Sequence, residues 1–127
     1  MTTHTHRYAD AVARYFEAWN ADGAEARAGA VAEAWTPDGG YTDPFADVAG
    51  HEAITAVITA AHERFPGFVF RLAGDVDGHH DTARFSWELV STADGSAPVA
   101  GSDVILLDAE DRIRTVLGFL DRVPEGA

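Results

Sequence analysis

The chain has no cysteine, and its nine Lys and Arg are set against 21 Asp and Glu. Without thiols there is no disulfide framework, no thiolate metal site and no cysteine nucleophile. A formal charge of −12 leaves it without the basic footprint that nucleic acid or an anionic membrane surface requires of a partner. No apolar run approaches the ~20 residues of a membrane span. The opening Met1-Thr2-Thr3-His4-Thr5-His6 lacks the basic-then-apolar order of a signal peptide, so the expected location is cytoplasmic. There is also no Ser-His-Asp order, phosphate loop, dinucleotide fingerprint or HExxH pair. Hydride transfer, phosphoryl transfer and metal hydrolysis therefore have no support, and no cofactor or metal is expected.

What is present is apolar and aromatic. The chain is 46% hydrophobic, with three Trp, three Tyr and seven Phe among 127 residues, which suits one core in one domain spanning 1–127. Polar residues 1–6 and the Pro-Gly-containing 124–127 are expected to be flexible tails. Between them the apolar spacing changes character. Tyr8, Val12, Tyr15, Phe16 and Trp19 recur at three- and four-residue steps and predict a helix over 7–21, stopped at Asn20-Ala21-Asp22-Gly23. Val31, Ala34 and Trp35 predict a shorter helix over 24–35. Thr36-Pro37-Asp38-Gly39-Gly40 reads as a turn cluster. Ile54, Val57, Ile58, Ala61 and Phe65 form the stripe of a third helix over 51–65, ended by Pro66-Gly67. From Phe68 onward the period falls to two. Strands are expected from Phe68, around Phe85-Trp87-Leu89, over 98–108 and over 112–123, with turns at 77–81, Asp94-Gly95 and 109–111. Helices first and a strand meander afterwards predict an α+β fold, a curved antiparallel sheet wrapped around three helices and enclosing an apolar pocket. Val104 and Leu106 alternate with Ile105 and Leu107, so the sheet is apolar on both faces. That predicts a homodimer packed sheet to sheet.

The stretch around which the chain is organised is 40–50, above all Tyr41-Thr42-Asp43-Pro44-Phe45. Pro44 cannot donate to a sheet ladder, so the strand should end there or lie at an edge. Tyr41 and Asp43 are two apart and share a face in extended backbone. With the third helix folded over that face, a carboxylate would sit in the wall of an apolar cavity, where its reactivity can be tuned.

This order of elements, with Ala34-Trp35-Thr36-Pro37-Asp38-Gly39-Gly40-Tyr41-Thr42-Asp43-Pro44 and Gly50-His51-Glu52-Ala53-Ile54, resembles the nuclear transport factor 2 superfamily. It is most similar to the SnoaL-like branch, over roughly residues 7–122. The resemblance implies a cone-shaped α+β barrel with a deep apolar pocket, commonly homodimeric, and leaves function open among isomerases, cyclases, dehydratases, hydrolases and binding modules. Within it, three segments resemble the ketosteroid isomerase constellation. Arg14-Tyr15-Phe16-Glu17 matches the segment of that enzyme's catalytic tyrosine, Thr42-Asp43-Pro44 that of its aspartate base, and Ser102-Asp103-Val104 that of its protonated aspartate. The second helix departs from the pattern in being a few residues longer here.

The implied roles make chemical sense. Proton removal beside a carbonyl needs a base near the carbon and donors at the oxygen that gains charge. Asp43 would be the base, Tyr15 a donor, and Asp103, kept neutral by an apolar site, a second donor, a pairing of carboxyls already described for ketosteroid isomerase itself. Each residue also has a plainer reading. Asp43 before Pro44 fits a turn, Tyr15 fits core packing, and Asp103 could pair with Arg84 or Arg114. Tyr41 is a candidate pocket donor. Phe16, Trp19, Phe45, Phe85, Trp87 and Phe119 are candidate walls for a flat, largely apolar ligand. His79-His80 reads as a surface turn, His51 as structural, His62 as exposed, and Asp121 as a strand-end partner of Arg122. The expected function is a cofactor-independent enzyme isomerising or cyclising a steroid- or polyketide-like carbonyl compound. The alternatives are a non-catalytic binding or dimerisation module and hydration or epoxide opening by an aspartate-held water.

Overall fold

The computed structural model describes residues 3–124, with side chains from His6 onward. Three helices, α1 (Thr3–Asn20), α2 (Ala24–Ala34) and α3 (His51–Arg64), pack on one face of a six-stranded sheet. Its strands are β1 (Trp35–Asp43), β2 (Ala46–Ala49), β3 (Phe68–His79), β4 (Thr82–Ser91), β5 (Val99–Leu107) and β6 (Ile113–Arg122). The sheet runs β2-β1-β6-β5-β4-β3 and is unclosed.

The helices follow the apolar stripes. Tyr8, Ala11, Val12, Tyr15, Ala18 and Trp19 are buried on α1, Val31 and Ala34 on α2, Ile54 and Ile58 on α3. They close on Ile105, Leu107, Ile113 and Val116 of the sheet to form the core. On β5 the burial alternates strictly, with Val99, Gly101, Asp103, Ile105 and Leu107 facing inward. That period of two puts Asp103 on the same face as the core aliphatics.

Three expectations need correction. The stretch 1–6 is no tail throughout, because α1 is helical from Thr3; residues 1, 2 and 125–127 lie outside the described residues. The cluster 36–40 is part of β1. Its register on β6 jumps from Trp35↔Ile113 to Gly40↔Thr115, so Pro37 and Asp38 bulge out while Thr36 stays buried,. Finally, the sheet is mixed. β3 to β6 form the antiparallel meander, but β1 pairs with β6 in parallel. Pro44 and Phe45 form a tight turn into β2, an edge strand absent from the sequence-based expectation. Bulges at 73/77, 100/101 and 106/107 add to that in β1 and bend the sheet around the helices,.

Candidate active site

Between α1, α3 and the inner face of the sheet lies a cavity of about 450 Å³, within the usual range for small-molecule sites. Tyr15, Phe16, Trp19, Tyr41, Asp43, Trp87 and Asp103 line its walls, and Phe45 borders it from a more exposed position, 83% accessible; Phe119, expected in the wall, only meets the rim, since alternation with inward Gly118 turns it to the outer face of the sheet, 60% accessible. Phe85, also expected in the wall, does not line the cavity. It is buried behind the wall, its ring 5.4 Å from that of Tyr15 and 5.5 Å from that of Phe16. The reason is its place on β4 opposite Asp103, where its ring packs beneath Tyr15 and Phe16 of α1.

Two tyrosine–aspartate pairs meet in this cavity. Tyr15 Oη donates to Asp103 Oδ2 at 2.5 Å, and Trp87 Nε1 donates to Asp103 Oδ1 at 3.1 Å. Neither Arg84 nor Arg114 reaches Asp103; Arg84 pairs with Asp77 and Arg114 bonds the Leu107 carbonyl. Tyr41 Oη donates to Asp43 Oδ2 at 2.5 Å, while Oδ1 accepts the backbone N–H groups of Phe45 and Ala46 at 2.8 and 2.9 Å. Asp43 is therefore both the side chain that stabilises the Pro44-Phe45 turn and a cavity-wall carboxylate.

The electrostatics differ between the two pairs. Burial pushes the Asp103 carboxyl up to about 6; the Tyr15 and Trp87 hydrogen bonds pull the other way, and the charges of Asp43 and Asp121 add to the rise. Burial also holds the Tyr15 phenol far above its ordinary range, reinforced by the Asp103 charge. Tyr41 is raised for the same reason, with its bond to Asp43 next. Both phenols thus stay protonated and act as donors.

Two glycines that sequence reasoning passed over make the arrangement possible. Gly118 of β6 pairs with Asp103. A methyl group there would lie 2.9 Å from Asp103 Oδ1 and 3.4 Å from Asp43 Cβ, so the two aspartates flank one bare point of backbone. Gly101 pairs with Trp87, and a methyl there would meet the indole Cε2 at 2.7 Å. A glycine inside an apolar strand is itself a signal of close approach.

His51, His62, His79 and His80 do not line the cavity. His51 Nε2 is within hydrogen-bond distance of the Trp35 and Thr36 carbonyls, at 3.1 and 2.8 Å, tying α3 to the β1 bulge as a structural residue. His62 is half-buried rather than exposed, because its Nε2 lies 2.6 Å from the Trp19 carbonyl at the end of α1. His79 and His80 are exposed at the β3–β4 turn, and among the described residues no three His, Asp or Glu are grouped as metal ligands. Asp121 accepts from Ser102 Oγ at 2.6 Å instead of pairing with Arg122, which bonds Glu88.

Residues 12–116 match the family model of the SnoaL-like domain. The chain belongs to the SnoaL-like family. A SnoaL-like structure from Agrobacterium tumefaciens, described as a candidate isomerase of the family, is 41% identical. It covers 91% of this chain and 98% of its own, with a TM-score of 0.86. A candidate polyketide cyclase from Sinorhizobium meliloti shares the fold at 22% identity and a TM-score of 0.67, covering 86% and 93%. A cystatin-like protein of unknown function from Nostoc punctiforme shares it at 12% identity and 0.75, covering 98% and 96%. No curated protein matches. The α+β architecture of this SnoaL-like chain is thus that of its neighbours, and among the described residues no helix is long and apolar enough to cross a membrane.

Proposed function

We propose that this SnoaL-like protein is a cofactor-independent enzyme that moves a proton next to the carbonyl of an apolar, steroid- or polyketide-like compound. The observation that carries the reading is the pair of aspartates flanking Gly118 inside an aromatic cavity, each with a tyrosine donor. In this reading Asp43 is the base. Its carboxylate is fixed by Tyr41 and two backbone N–H groups, and an oxygen lone pair takes the proton as the C–H bond breaks. The electron pair passes to the carbonyl oxygen, beside Tyr15 and Asp103. A ligand that excludes water from the cavity raises the Asp103 carboxyl further, so that it binds a proton; the Tyr15 O–H then turns from Asp103 to the enolate oxygen, and the Asp103 O–H donates the second hydrogen bond. Return of the proton to another carbon completes an isomerisation. Attack of the enolate carbon on a second carbonyl, whose oxygen takes back the proton held by Asp43, completes an aldol-type cyclisation.

The neighbour described as a candidate isomerase, at 41% identity, supports an enzyme over a binding module. The test is isomerisation of a β,γ-unsaturated ketone of fused rings to its conjugated isomer, followed by ultraviolet absorbance. Asp43→Asn should lower turnover roughly 10²–10⁴-fold. Unchanged turnover in the variant refutes the base assignment.

A further inference from the structure

Trp87 does more than wall the cavity. Its ring is pinned on two sides. It meets Phe70 edge to face, with centroids 5.3 Å apart, and it lies over Gly101 so closely that a β-carbon there would overlap it. That placement aims Nε1 at Asp103 Oδ1, 3.1 Å away. The other two tryptophans behave differently. Trp35 Nε1 donates to the Gly40 carbonyl at 3.3 Å, and Trp19 Nε1 is buried without a hydrogen-bond partner among the described residues.

We infer that Trp87 is a positioning residue, whose indole N–H locks the Asp103 carboxyl so that Oδ2 is the oxygen offered to Tyr15. This rests on the reading of Asp103 and Tyr15 given above. A carboxylate with one free oxygen can rotate; one held at Oδ1 by an N–H on a pinned ring cannot rotate without breaking that bond. The same N–H favours the ionised carboxyl and so offsets part of the desolvation that protonates it. The groups that act on Asp103 are Tyr15 from α1, Trp87 from β4 and Asp43 and Tyr41 from β1, with the charge of Asp121 of β6, which bonds Ser102, felt from further off. Of these, Trp87 and Tyr15 are the two donors to Asp103, and Trp87 is the one that holds Oδ1.

The test is a titration of the full chain by nuclear magnetic resonance, with no substrate required, so it stands apart from the turnover assay. In the wild type, the indole N–H resonance of Trp87 should move between pH 4.5 and 8 with the midpoint of Asp103, while that of Trp35 should not follow it. Trp87→Phe keeps the apolar wall and deletes the donor. It should remove the moving resonance and raise the Asp103 carboxyl midpoint by about one pH unit, the worth of one hydrogen bond to a charged group. A Trp87 resonance flat across this range, or an Asp103 midpoint unmoved in folded Trp87→Phe, overturns the inference.

Discussion

Asp103 carries a cost to stability that follows from its burial. Its carboxyl titrates at about 6 in the folded chain against an ordinary value of 3.8. The sign runs opposite to that of a salt-bridged acid. Between those two values the folded state holds more protons than the unfolded one, so stability falls as pH rises through this window and stays low above it. The difference amounts to roughly 3 kcal/mol. Asp103→Asn removes this dependence. Thermal unfolding of the two proteins should therefore diverge from pH 4 to 6, the variant gaining over the wild type, and then run parallel above pH 7. Curves parallel throughout would mean that Asp103 ionises like a surface carboxyl. At this scale the sequence was partly legible. Tyr15, Asp43 and Asp103 converge on one cavity because periods of 3.6 and two fix which side each faces. Their partners were not legible, since Trp87 reaching Asp103 depends on a missing side chain at Gly101, on another strand.

At the scale of elements, the segment 35–49 was the hardest to read. Pro37 and Gly39-Gly40 signal a turn locally, yet tertiary pairing with β6 absorbs them as a bulge. The Pro44-Phe45 turn and the four-residue β2 are too short to show a period. Parallel pairing of β1 with β6, some seventy residues later, leaves no local trace at all. It is nonetheless this pairing that brings Asp43 to Gly118, because Thr42 lies opposite Leu117. Gly118→Ala should thus be an element-level lesion. The new methyl would crowd Asp103 Oδ1 and Asp43 Cβ, with an overpacking cost of roughly 1–3 kcal/mol in a fold that otherwise survives. Isothermal titration with a fused-ring ketone should find binding weakened at least tenfold, and wild-type affinity would show that the two carboxyls do not share the ligand's space.

For the whole molecule, the order of helices and meander was readable because each stripe of apolar residues has one period and one face to bury. We propose that the outer face pairs with a second copy, since Leu117 and Phe119 of β6 are 38% and 60% exposed beside the half-buried Val104 and Leu106 of β5, an apolar surface water disfavours. The charge of −12 on each chain opposes that association, so added salt should strengthen it by screening. Sedimentation at micromolar concentration should find a dimer that tightens with salt and that Phe119→Asp dissociates; a wild-type monomer removes the proposal.

The central claim is that Asp43 takes a proton from carbon beside a carbonyl held in this cavity. Exchange of that proton for deuterium, followed by magnetic resonance on a saturated fused-ring ketone in heavy water, reads the step without requiring isomerisation. Catalysed exchange by the wild type, reduced roughly 10²–10⁴-fold in Asp43→Asn, is the predicted result. Exchange equally fast in both proteins, or no faster with protein than without it, would contradict the account.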